Sequence, residues 1–238
     1  MTGIVEVYFE TRKTRDLFTN VYVFRPLAAP VVYALRNTSV TPNQVTLTSF
    51  VLALAAVALM FWPGYWGLLT ASIVFTASYV LDCVDGMLAR LKHQQSTPGH
   101  LFDFLMDEVK SFFLLGSVSI RLYLEQGQDF YLLVGIVGLV ALATGIAVTT
   151  FQRRPEITGG VQQEGAKPMF DSDANPSIAR RLLRLGFGVA HLVVHYPSYL
   201  LIVGLAGRVE LYLFPYVAMN VAYAIRSLLW LAVRHGLR

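Results

Sequence analysis

Apolar residues fill this chain in long blocks parted by short polar interruptions, and the blocks are longer than the strands or amphipathic helices of a soluble core require. Residues 45–62 run eighteen positions without a charge. Pro63 and Gly64 turn the chain, and residues 65–91 form a second block with aromatic side chains at its start. Four more follow at 98–123, 130–151, 187–207 and 211–233. The pattern predicts an all-α integral membrane protein with six transmembrane helices. Ahead of them, residues 17–35 are apolar and aromatic but broken by Arg25, Pro26 and Pro30. That segment predicts an amphipathic helix lying in the cytoplasmic interface rather than a span. Residues 1–16 mix charges without an apolar stretch and predict a mobile lead-in with no cleavable signal. The chain therefore divides into a cytoplasmic lead-in with its interfacial helix, 1–44, and a six-helix membrane domain, 45–238.

Composition agrees with the block pattern. Of 238 residues, 55% are hydrophobic and only 14% charged, and the mean hydropathy is +0.54. A soluble domain carries about a quarter charged residues. The lone cysteine, Cys83, excludes an internal disulfide and a thiolate metal cage, and reads as a small packing residue. The net charge of +4 says less than its placement. Lys and Arg gather in the N-terminal region, the 92–97 link, the 152–186 connection and the C-terminus, whereas the opposite side offers little beyond Arg121 and Arg208. The positive-inside rule then puts both termini in the cytoplasm, in a cell inner membrane. Within the long connection, Asn175 and Pro176 predict the start of a short amphipathic helix, and Arg180, Arg181 and Arg184 predict contact with anionic headgroups. Membrane lipids are the expected surroundings, and nucleic acid is not an expected partner.

Against this background, residues 82–107 collect four carboxylates. Asp82, Asp85, Gly86, Ala89 and Arg90 are spaced to share one helical stripe, and Gly99, Asp103 and Asp107 another. A short polar link, 92–97, lets the two helices pack as an antiparallel hairpin, with Thr97 as cap and Pro98 as the first helical residue. Asp82 lies nine residues before the end of its block, about 13 Å along a helix, which is too deep for a cap. Four facing carboxylates repel one another unless a cation sits among them, and an oxygen-only donor set selects Mg²⁺ or Mn²⁺ first. A pair of divalent cations holding a pyrophosphate satisfies both conditions. Gly86 and Ala89 keep the adjacent face low, and Arg90 stands one turn on for a phosphate oxygen.

These eight residues, Asp82, Asp85, Gly86, Ala89, Arg90, Gly99, Asp103 and Asp107, match position for position the signature of the CDP-alcohol phosphotransferases, and the chain resembles that family. The run Thr41-Pro42-Asn43-Gln44-Val45-Thr46 is similar to the family's approach to its first membrane helix. The resemblance implies a metal shell of Asp82, Asp85, Asp103 and Asp107 holding two Mg²⁺ or Mn²⁺ ions, with Asp107 as general base. It also implies a nucleotide site of Asp82, Gly86, Ala89, Arg90 and Gly99. The implied reaction joins a phosphoalcohol group from a CDP-linked donor, CDP-diacylglycerol first, to the hydroxyl of a polar alcohol and releases CMP. A homodimer is expected from the resemblance alone.

For the acceptor, Lys110 shares the stripe of Asp107, Arg153 and Arg154 follow the fourth block, and Arg226 is expected to face the bundle from the sixth. Lys110 can equally serve to balance the acids. His191 and His195 have a zinc-compatible spacing, but lacking a third ligand they read as a packed or interfacial pair. Two alternatives stay open. One is a transferase joining a soluble CDP-alcohol to a sugar or inositol phosphate. The other is a divalent-cation transporter, which predicts polar residues continuing through the outer halves of the same helices; residues 65–80 and 111–123 are instead mainly apolar.

Overall fold

A computed structural model describes residues 3–13, 16, 18–152, 154, 193, 195, 197 and 199–236. Among them every regular element is helical. In chain order these are α1 (Ile4–Glu10), a π-helical turn (Asn20–Phe24), α2 (Arg25–Leu35), α3 (Pro42–Leu59), α4 (Gly64–Leu91), α5 (Thr97–Gln126), α6 (Phe130–Gln152), α7 (Leu200–Ala206) and α8 (Glu210–Gly236).

The N-terminal region corrects the expectation of a mobile lead-in. Helix α1 forms because Val7, fully buried, packs with Ala28, Ala29 and Val32 of α2 and with Val84, Met87 and Leu88 of α4. The expected interfacial segment is divided by proline. Pro26 has no amide hydrogen to close a normal turn onto Tyr22, and a wide π turn precedes it. Helix α2 has eleven residues, about 17 Å of rise and short of the ~30 Å hydrocarbon core.

Helix α3 starts at a reciprocal cap. The Thr41 hydroxyl accepts from the Gln44 amide at 3.4 Å, and the Gln44 side-chain oxygen accepts from the Thr41 amide at 2.9 Å. Pro42 fills the first helical position. Small residues let α3 and α4 approach closely: Ala53 and Ala56 meet Ala71 and Phe75, and the Ser49 hydroxyl donates to the Ser78 carbonyl at 2.9 Å.

The link into α5 reverses direction at His93, whose φ of 52° is left-handed. Ser96, not the expected Thr97, is the N-cap, because its hydroxyl is the one that accepts from the Gly99 amide, at 3.1 Å. At the other end of α5, Arg121 is buried and donates to the carbonyls of Met60 and Trp62 at 2.8 Å and of Gly64 at 2.7 Å. Its second partner class is Glu125, one turn on, at 2.6 Å. Arg121 thereby satisfies peptide oxygens left over where α3 ends. Helix α6 lies against α5 and α8; a Cβ on Gly138 would stand 2.6 Å from the Val217 side chain, so only glycine permits this approach.

Four of these helices, α3, α4, α6 and α8, are long and apolar enough to cross a membrane. The expected count of six is not reached among the described residues. The expected third span is present as the 30-residue α5, but Asp103, Asp107, Glu108, Lys110, Arg121 and Glu125 keep it outside the apolar set. Of the expected fifth, 187–207, α7 is the described helix. The short helix expected from Asn175 lies outside the described residues.

Candidate active site

Three helices build the site. Asp82 and Asp85 share a face of α4, and Asp103 comes from the first turns of α5, held there by the Ser96 cap. One carboxylate oxygen from each lies within 4.8 Å of the others. From α3, the Thr46 hydroxyl donates to Asp85 Oδ2 at 2.5 Å. Asp85 is only 4% exposed, and Asp103 Oδ1 is buried without a hydrogen-bonding partner. A buried, unsatisfied carboxylate oxygen beside two further carboxylates is costly unless a cation joins them. An all-oxygen donor set of this kind suits a hard divalent ion. The donor set and its orphaned oxygen therefore fit a metal site.

Asp107 stands beside this trio. Its carboxylate pairs at 3.2 Å with Lys110 Nζ, and the same ammonium pairs with Asp82 and donates to Ser49 Oγ at 2.9 Å. The lysine is buried, whereas the Asp107 side chain is 34% exposed. Lys110 thus ties α3, α4 and α5 together from inside, its ammonium between Asp82 and Asp107.

Next to the acids opens a cavity of about 560 Å³. Asp85, Gly86, Ala89 and Arg90 of α4 and Gly99 and Asp103 of α5 line it together, so six of the eight signature residues share one wall system. Asp82 lies behind it within the carboxylate cluster. A Cβ on Gly86 would meet nothing nearer than the Arg90 guanidinium, at 3.6 Å, so hydrogen in its place widens the cavity rather than relieving a clash. Arg90 is aligned from outside the hairpin, its Nε donating to the Thr11 carbonyl at 2.7 Å.

Among the lining residues to which sequence reasoning gave no role in the site are Lys13, Asn43, Thr46 and His100. Asn43 and Thr46 belong to the run that precedes the first span and were marked there without a role. His100 follows Gly99 directly. Nothing near Lys13 in the sequence marks it.

Of the arginines weighed for an acceptor, neither Arg154 nor Arg226 lines this cavity. Arg154 lines a separate cavity of about 570 Å³ with Ala147, Val148, Thr150, Phe151 and Leu231. Arg226, expected to face the bundle, is exposed, because the buried stripe of α8 runs through Tyr216, Asn220 and Ala224 and leaves position 226 on another face. Arg153 and His191 lie outside the described residues. His195 Nε2 is 3.0 Å from the Tyr79 hydroxyl, which donates to Asn20 Oδ1 at 2.8 Å. Cys83 packs against the apolar cluster around α1 and α2.

Comparison with known proteins reaches the acid-bearing hairpin through a family model. A family model described as CDP-alcohol phosphatidyltransferase matches residues 39–170, more than half the chain. A curated relative, the CDP-diacylglycerol--glycerol-3-phosphate 3-phosphatidyltransferase of Blochmanniella floridana, is 31% identical over 68 residues. That alignment takes in 29% of this chain and 36% of the relative, so the chain spans about a third of the length of the protein it matches.

Proposed function

The chain belongs to the CDP-alcohol phosphatidyltransferase family, and from that premise we propose that it transfers a phosphatidyl group from CDP-diacylglycerol to the hydroxyl of a polar alcohol, releasing CMP. It is an integral membrane protein, with four helices fit to span. The observation that carries the reading is the convergence of Asp82, Asp85 and Asp103 within 4.8 Å beside a cavity floored by Gly86 and Ala89.

In this reading the nucleotide lies over Gly86 and Ala89, where the absence of larger side chains leaves room for a flat base and ribose. Arg90 holds a phosphate oxygen, its direction fixed by the Thr11 carbonyl. Asp82, Asp85, Asp103 and Asp107 would hold two divalent cations, Mg²⁺ or Mn²⁺. Bound there, such ions would supply positive charge to the pyrophosphate and to the oxygens of an in-line displacement. Asp107, the most exposed of the acids that Lys110 contacts, takes the proton of the acceptor hydroxyl. The acceptor oxygen bonds to the phosphorus distal to cytidine, the bond from that phosphorus to the bridging oxygen breaks, and CMP leaves with it. Lys110 keeps Asp107 and Asp82 in register.

Both termini and the mouth of the site face the cytoplasm of a cell inner membrane, with α1 and α2 at the interface, as the distribution of Lys and Arg supports. Arg153, Arg154 and Arg226 then add to the positive potential that draws an anionic acceptor toward the inner leaflet.

The test is direct. Purified protein with Mg²⁺ and labelled CDP-diacylglycerol is offered glycerol 3-phosphate, inositol 1-phosphate, inositol or serine. CMP release that depends on one acceptor and stops with EDTA is expected. Release only from a water-soluble CDP-alcohol would replace the donor, and no release from any CDP compound would overturn the reading.

A further inference from the structure

Helix α1 is fastened to the core at two points. Val7 is fully buried among Ala28, Val32, Val84 and Met87, and Thr11 is fully buried at the helix end. The Thr11 hydroxyl donates back to the Val7 carbonyl at 2.7 Å, closing the last turn. The Thr11 carbonyl in turn accepts from Arg90 Nε at 2.7 Å and from Arg25 Nη1 at 3.5 Å. Two residues further along, Lys13 lines the same cavity as Asp85, Gly86 and Arg90. An exposed lysine on an unattached tail would be an ordinary solvated charge. Here the backbone that carries it is held to the motif arginine itself.

We infer that Lys13 is a phosphate-binding residue for the donor, a cation that the N-terminal segment adds to the wall opened by the motif. The assignment rests on the donor reading above. A pyrophosphate presents two phosphoryl groups, and the signature supplies one arginine for them among the lining residues. Lys13 supplies a second full positive charge from outside residues 39–170, the part matched to the family. Its ammonium recognises phosphate as a point charge with rotatable donors. It therefore bears on the diphosphate and not on the base or ribose.

Binding of CDP and of cytidine to the full-length protein, in detergent with Mg²⁺, separates the possibilities. Replacing Lys13 by methionine, K13M, is expected to weaken CDP by about 10- to 150-fold, the range for losing a hydrogen bond to a charged group, and to leave cytidine unchanged. K13R is expected to stay within about 3-fold of the original for CDP, since the charge is retained. Equal CDP affinity in K13M overturns the assignment, and so does a parallel loss for CDP and cytidine, which marks a distorted pocket. If the unaltered protein binds no CDP, the donor reading itself fails and takes this assignment with it.

Discussion

Lys110 of α5 joins two carboxylates that are 25 residues apart in the chain: its ammonium pairs with Asp82 on α4 and, at 3.2 Å, with Asp107 one turn earlier on its own helix. A buried cation between two acids stabilises their approach before any metal arrives. Removing it leaves charges facing each other in a poorly solvated place, at a cost of about 3–5 kcal/mol. Lys110→Met is therefore expected to lower Tm sharply in EDTA, and millimolar Mg²⁺ is expected to recover part of the loss. Thermal unfolding in detergent with and without Mg²⁺ checks this; a Tm equal to the original in EDTA would contradict it.

Thr46 is the α3 contribution to the acids, donating to Asp85 at 2.5 Å. It does not belong to the eight-residue signature. Groups that orient metal ligands typically alter metal affinity by about 10- to 100-fold when removed. Thr46→Val keeps the shape and loses the donor, so the Mg²⁺ concentration for half-maximal CMP release is expected to rise within that range. The donor KM at saturating Mg²⁺ should change little.

Asp107→Asn addresses the proton step. Loss of a general base costs about 10²- to 10⁴-fold, so turnover is expected to fall by that much while CDP still binds. Paired measurement of CMP release and equilibrium CDP binding decides it, and full turnover would remove the base assignment.

Gly86→Ala separates stability from substrate fit. Alanine stabilises a helix interior by about 1 kcal/mol relative to glycine, and a methyl group at this position would have the Arg90 guanidinium as its nearest neighbour at 3.6 Å. Tm is expected to hold or rise. The added methyl projects into the cavity, so the donor KM is expected to rise. A variant that melts early would show that Gly86 serves packing.

How far the sequence reveals these relationships depends on their range. The acid stripes were legible because helical spacing alone puts Asp82 with Asp85 and Asp103 with Asp107. The blocks at 45–62, 65–91, 130–151 and 211–233 anticipated α3, α4, α6 and α8 to within a few residues, since lipid-facing helices reveal themselves by composition. Ser96 and Thr97 are both good caps, and only the reach to the Gly99 amide chooses between them. Helix α1 was not legible, because the partners of Val7 come from α2 and from α4, far along the chain. Lys110 was placed beside Asp107 by spacing, but its bonds to Asp82 and Ser49 exist only once three helices meet. Arg226 failed for a related reason: position in sequence fixes depth along α8, and rotation about its axis is set by which stripe packs.

At the far end of the bundle, Arg121 holds the last carbonyls of α3 and the start of α4 from within α5. A guanidinium bound to three peptide oxygens and to Glu125 is a knot that thermal motion loosens last. The three helices that build the site are consequently pinned at their base like the ribs of a fan. Whatever parting they undergo to admit a lipid and a nucleotide is widest at the rim, where Asp103 and Lys13 stand, and smallest beneath it.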